Sequence, residues 1–129
     1  MVSDRFTVLV VDDSCMFRQR VICLLNERNL NPVLQACNYD EAVNWLLKTK
    51  VNLALLDISM PGKNGIELLK LIRSRYPGTK VWMISNHADE HYKQVCLSTG
   101  ADHFFDKSLD FEEIESKTSM ICKEIQNQN

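Results

Sequence analysis

No apolar run among the 129 residues approaches the length of a membrane span. The N-terminus is also wrong for a secretory leader, because Asp4 and Arg5 precede a very short apolar segment. Neither sign of charge is in excess. Fifteen Lys and Arg against 17 Asp and Glu leave a formal net charge of −2, which provides no long-range pull on nucleic acid or on an acidic membrane. Paired cysteines are missing too. Cys15, Cys23, Cys37, Cys96 and Cys122 are scattered and contain no C-x-x-C pair, so neither a zinc site nor a redox dithiol is indicated. Unpaired cysteines fit a reducing cytoplasm. There is no internal repeat, no low-complexity stretch and no linker. At 45% hydrophobic and 25% charged residues, the chain can build one sizeable core, and residues 1–129 read as a single domain with no output domain.

What is present alternates. Phe6–Val11, Pro32–Ala36, Leu53–Leu56, Lys80–Ile84 and Asp102–Asp106 are short apolar or β-branched runs that predict strands. Between them lie helical patterns. Phe17, Val21, Leu24 and Leu25 mark the first, from Cys15 to about Arg28; Ala42, Val43, Leu46 and Leu47 mark the second, after a capping-box-like Asn38-Tyr39-Asp40-Glu41. Ile66, Leu69 and Ile72 mark a third that stops before Pro77 and Gly78. A fourth spans about Ala88–Ser98, and Phe111, Ile114, Ile121 and Ile125 stripe a fifth. Five βα units with strands apolar on both sides predict an α/β fold, a parallel five-stranded sheet covered by helices on both faces.

In such a sheet, ligands bind beyond the carboxyl ends of the strands. Here those ends carry Asp12-Asp13, Asp57, Ser85 and Asp106-Lys107. If the first and third strands are neighbours, three carboxylates crowd together. Two unit charges ~4 Å apart repel by roughly 4 kcal/mol at an effective dielectric near 20. The site must therefore protonate or hold a cation. Hard oxygen ligands without His or Cys suit magnesium, or manganese in its place.

These residues carry a resemblance. Asp12-Asp13, then Asp57-Ile58-Ser59-Met60-Pro61-Gly62, Gly65, Ser85 and Gly100-Ala101-Asp102-His103-Phe104-Phe105-Asp106-Lys107 resemble the receiver domain of two-component response regulators, in the chemotaxis-regulator-like single-domain form. The resemblance spans almost the whole chain. It implies a flavodoxin-like (βα)5 three-layer sandwich with strand order 2-1-3-4-5. It makes Asp57 the acceptor of a phosphoryl group from a phosphohistidine, with the ion on Asp12, Asp13, Asp57 and the Ser59 backbone carbonyl, and with Lys107 and Ser85 contacting the phosphoryl oxygens. Ser85 and Phe104 would form a two-state packing switch. Ser59, His87 and Asn86 would set the rates of phosphorylation and hydrolysis. Such a domain is a signalling phosphoacceptor that catalyses only its own modification, not an enzyme acting on a free metabolite. Its partners would be a sensor histidine kinase or a histidine phosphotransfer protein, then an effector docked on the fourth helix, fifth strand and fifth helix. A phosphorylation-dependent homodimer through the last helices stays open.

Two positions depart from the family pattern. Ser108 stands where proline usually follows the lysine, which predicts a trans bond or a strained loop. Asn86 replaces a usually small residue and is expected to narrow access to Asp57. Other readings fare worse. His87-Ala88-Asp89-Glu90-His91 matches the H-x-x-E-H zinc-peptidase pattern, but too little chain follows for that fold. A flavin mononucleotide binder would not place Asp12-Asp13 against a phosphate, and Asp57-Ile58-Ser59 lacks the second carboxylate of a D-x-D phosphatase. The remaining alternatives are a pseudo-receiver that binds protein without being phosphorylated, and the receiver portion of a larger regulator.

Overall fold

In the computed structural model, residues 6–60, 62–86 and 90–127 are described. Each strand is short and apolar because helices cover both of its faces. The strands are β1 (Val8–Val11), β2 (Val33–Ala36), β3 (Leu53–Asp57), β4 (Lys80–Ser85) and β5 (His103–Asp106). They alternate with α1 (Cys15–Glu27), α2 (Tyr39–Lys48), α3 (Gly65–Arg75), α4 (Glu90–Thr99) and α5 (Phe111–Asn127). All strands pair in parallel, in the order β2-β1-β3-β4-β5. This is the flavodoxin-like order that the resemblance implies. Several ends differ from the sequence pattern by one or two residues: β1 begins at Val8 rather than Phe6, and β2 at Val33 rather than Pro32. Apolar pattern marks the residues that face the core, whereas the ladder of hydrogen bonds sets where a strand starts.

The two-residue period of the strands divides the core. Val8, Val10, Leu53, Leu55, Trp82, Ile84 and Phe105 pack with α1 and α5. Leu9, Val11, Ala54, Leu56, Val81 and Met83 pack with α2, α3 and α4. The alternation also decides where the polar strand ends go. Asp12, Asp57 and Lys107 continue the series that faces α1 and α5, while Ser85 and Asp106 continue the opposite one.

Side chains close the helix starts near the site. Ser14 Oγ accepts from the Phe17 N–H at 3.2 Å to begin α1, and Asn64 Oδ1 accepts from the Glu67 N–H at 3.0 Å to begin α3. At α2, Asn38 Oδ1 accepts from the Glu41 N–H at 2.9 Å, while Glu41 Oε1 reaches back to the Cys37 N–H, also at 2.9 Å. The capping box expected at Asn38–Glu41 is thus reciprocal but one residue longer. Gly65 opens α3 without a positive φ. It is glycine because a Cβ there would fall 2.1 Å from the Asp57 carbonyl oxygen. The helix can approach the phosphoacceptor candidate this closely only with a bare Cα.

Candidate functional site

The 2-1-3-4-5 order puts β1 beside β3 and β3 beside β4, with Val11 opposite Leu56 and Asp57 opposite Ile84. Asp12, Asp13 and Asp57 consequently leave the sheet at one rim. One carboxylate oxygen from each lies within 4.8 Å of the others. Asp12 and Asp57 are 1% and 4% exposed, and Asp13 is on the surface. Lys107, from the end of β5, extends its ammonium to 2.6 Å from Asp12 Oδ2 and 3.7 Å from Asp57 Oδ2. Asp12 Oδ1 accepts from the Ser14 N–H at 2.8 Å, and Asp57 Oδ1 accepts from the Ser59 N–H at 3.3 Å.

One ammonium does not satisfy three carboxylates. Burial above all, then the charge of Asp12, push the Asp57 carboxyl up to about 6, against the opposing pull of Lys107. Asp12 Oδ2 is buried and accepts no well-aligned hydrogen bond, despite the nearby ammonium. Three carboxylate oxygens within 4.8 Å of one another, neutralised in part by one ammonium and with no His or Cys among them, fit a divalent cation such as magnesium.

An open groove of about 580 Å³ leads to Asp57. Asp13, Ser59, Asn86 and Lys107 line it, together with Met16 and Arg20 from α1. Ser59 and Asn86, expected to tune access and hydrolysis, are both exposed at this mouth. His87 and Pro61 lie outside the described residues, as does most of the H-x-x-E-H pattern. Ser85 is 2% exposed, and its carbonyl accepts the Lys107 N–H at 2.9 Å. Phe104 is half-buried against the α2–α4 core, opposite Met83, while Ser85 is opposite Asp106. Ser85 and Phe104 therefore occupy one face of adjacent strands. The Lys107–Ser108 bond is trans, since the cis bond among the described residues is Asn31–Pro32.

Some contributors are missed in the sequence. Arg18 donates to the Asp12 carbonyl at 2.6 Å and to Gln35 Oε1 at 3.0 Å, bracing the turn that holds the acidic pair. Phe17 lies beneath the Lys107 ammonium, 4.7 Å from ring centroid to Nζ, and meets Phe111 edge-on at 6.4 Å. Phe17 reads in sequence only as a core position of α1. Asp106 bonds to the residues after Lys107; its Asp-x-Ser spacing is a turn-forming pattern and could have been read as one.

Comparison with known proteins agrees with this fold. The response regulator receiver domain family model matches residues 8–119. The chain is 29% identical over 121 residues to the transcriptional regulatory protein DegU of Brevibacillus brevis, covering 93% of this chain and 51% of that protein. It is 31% identical over 120 residues to the phosphate regulon transcriptional regulatory protein PhoB of Escherichia coli (strain K12), covering 92% of this chain and 52% of that one. The chain thus spans about half the length of these curated relatives. Among solved structures, a CheY-like response regulator receiver domain protein from Methanospirillum hungatei JF-1 superposes with a TM-score of 0.83 at 25% identity, over 97% of this chain and 99% of that one. A response regulator from Thermotoga maritima gives 0.81 at 27% identity, over 92% and 98%. Among the described residues, no helix is long and apolar enough to cross a membrane. The chain belongs to the response regulator receiver domain family.

Proposed function

We propose that Asp57 accepts a phosphoryl group from a phosphohistidine on a sensor histidine kinase or a histidine phosphotransfer protein. The observation that carries this reading is a nearly buried carboxylate, 4% exposed, with Lys107 Nζ 3.7 Å away on one side and Asp12 and Asp13 oxygens within 4.8 Å. An Asp57 oxygen forms the new O–P bond as the N–P bond of the donor breaks. The electron pair returns to the imidazole, which takes up a proton. In-line phosphoryl transfer is catalysed chiefly by positioning and charge neutralisation. Asp12, Asp13, Asp57 and the Ser59 backbone carbonyl would hold magnesium or manganese, which would supply positive charge to neutralise the transferring oxygens. Lys107 supplies it from the other side.

After transfer, the Ser85 hydroxyl donates to a phosphoryl oxygen, and Phe104 turns into the space that Ser85 vacates. The signal reaches the α4–β5–α5 face, where an effector docks. Ser59, exposed at the groove mouth, sets the lifetime of the acyl phosphate together with His87, and Asn86 limits the access of small donors. The domain catalyses only its own phosphorylation and dephosphorylation.

The test is to treat the protein with magnesium and phosphoramidate and weigh it intact. The parent should gain one phosphoryl group and Asp57→Asn none. Equal labelling of both would overturn the assignment. No labelling of either, with no spectral response to beryllofluoride, would leave a phosphorylation-independent protein-binding module. Pull-downs with and without beryllofluoride then identify the effector and show whether its binding follows the switch.

A further inference from the structure

Lys107 leaves β5 on a turn that no proline closes. Two carboxylates close it instead. Asp106 Oδ1 accepts three hydrogen bonds, from the Ser108 N–H at 2.8 Å, the Ser108 hydroxyl at 2.9 Å and the Leu109 N–H at 2.9 Å. In the other direction, Asp110 Oδ2 accepts from the Asp106 N–H at 2.7 Å, and the Asp110 N–H donates to the Asp106 carbonyl at 2.9 Å. The Asp110 carbonyl then accepts from Glu113 and Ile114, which starts α5. The end of β5 is therefore bound to the start of α5 on both sides of Lys107, and the Lys107 N–H itself is tied to the Ser85 carbonyl. The three donors on Asp106 also hold its carboxyl below the usual range, so it stays charged.

The geometry points to Asp106 as the positioning residue for Lys107: its carboxylate, braced by Asp110, fixes the turn from which the ammonium reaches Asp12 and Asp57. Lysine is a point charge on a flexible four-carbon stem, so the place of its backbone decides what its nitrogen can reach. A displacement of about 1 Å can cost a reaction on the order of 10²-fold. Asp106 lies outside the acidic cluster and stands opposite Ser85 in the sheet register; its effect on the reaction runs through the placement of Lys107. The Asp-x-Ser-x-Asp spacing from Asp106 to Asp110 does here, with trans geometry, what a ring-constrained residue would otherwise do. This inference rests on the reading of Asp57 as phosphoacceptor.

The experiment compares the parent with Asp106→Ala, Asp106→Asn and Ser108→Ala. Phosphorylation by phosphoramidate at saturating magnesium is followed by intact mass, and magnesium affinity is measured by calorimetry. Asp106→Ala should slow phosphorylation about tenfold or more while magnesium affinity stays within about twofold. Asp106→Asn, which keeps an acceptor oxygen for the two N–H groups, should recover most of the rate. Ser108→Ala, which removes only the hydroxyl bond, should slow it about twofold, and it carries the comparison if circular dichroism shows Asp106→Ala unfolded. The inference is overturned if the folded Asp106→Ala is labelled at the parental rate, or if rate and magnesium affinity fall together in both Asp106 variants. With Asp106→Ala unfolded, Ser108→Ala at the parental rate overturns it. A parent that takes no label overturns the underlying reading instead.

Discussion

The Lys107 ammonium stands 2.6 Å from Asp12 Oδ2 but 3.7 Å from Asp57 Oδ2. The amine leans on Asp12 rather than on Asp57, the proposed phosphoacceptor. Asp57 thus keeps a lone pair free, and the lysine can swing to an incoming phosphoryl oxygen. Removing it should have two separable effects. Lys107→Met should reduce phosphorylation of Asp57 by roughly 10²-fold, the usual cost of losing one preorganised charge-stabilising donor. It should also destabilise the metal-free fold by about 3 kcal/mol, because Asp12 is left buried and unpaired. Magnesium should restore the stability but not the rate, as read by urea melts and intact mass.

The Asp57 carboxyl is raised to about 6, chiefly by burial, from an ordinary value of 3.8. A group whose pKa rises on folding favours the folded state below the unfolded value, and that favour is lost as pH climbs through the folded one. Metal-free parent protein should therefore lose stability between about pH 4 and pH 7, by up to about 3 kcal/mol from this group alone. Asp57→Asn should be more stable than the parent at pH 7.5 without magnesium, with the gap closing near pH 4. Magnesium should reverse the order at neutral pH, and its affinity for the parent should fall as pH drops below about 6. Calorimetric melts across this range, with and without the ion, measure all three effects.

Gly65 gives α3 its approach to the acceptor strand. A methyl group there would meet the Asp57 carbonyl at 2.1 Å, a backbone atom that cannot step aside. Gly65→Ala should cost about 1–3 kcal/mol, in the range of an overpacked core site. It should also weaken magnesium binding, because the displaced segment carries Asp57. An exposed control, Gly78→Ala, where a Cβ meets nothing within 4 Å, should change neither quantity by a comparable amount.

Asn86 lines the mouth of the groove that leads to Asp57. Trimming it to alanine should quicken labelling by small donors such as acetyl phosphate by several-fold and leave magnesium affinity unchanged. Initial rates from a quenched time course, compared with those of the parent, decide the matter. A lower rate would mean that Asn86 contacts the donor rather than obstructing it.

The fold and the core of the site were legible in sequence because their signals are local. Alternating apolar strands and helical stripes gave five βα units. The polar residues Asp12, Asp13, Asp57, Ser85 and Lys107 all stand where a strand stops, which is the edge where such sheets bind ligands. The capping residue Asn38 announced the start of α2; Asn64, which caps α3, reads in sequence only as loop. The roles of Arg18 and Phe17 escaped notice because their partners are set by the fold, whereas the Asp106 turn is local and its spacing could have been read. Arg18 reaches back six residues to the Asp12 carbonyl, and Phe17 meets Lys107 from the far end of the chain.

By itself the sequence determined the class of fold, the edge at which chemistry sits and the identity of the charged groups there, since the apolar pattern and the polar residue that closes each run are read from neighbouring residues. Only tertiary structure decided that Lys107 leans on Asp12, that burial raises Asp57, and that Asp106 and Asp110 lock the turn between β5 and α5. Those facts depend on distances and desolvation between segments up to some ninety residues apart, and packing of the whole sheet sets them.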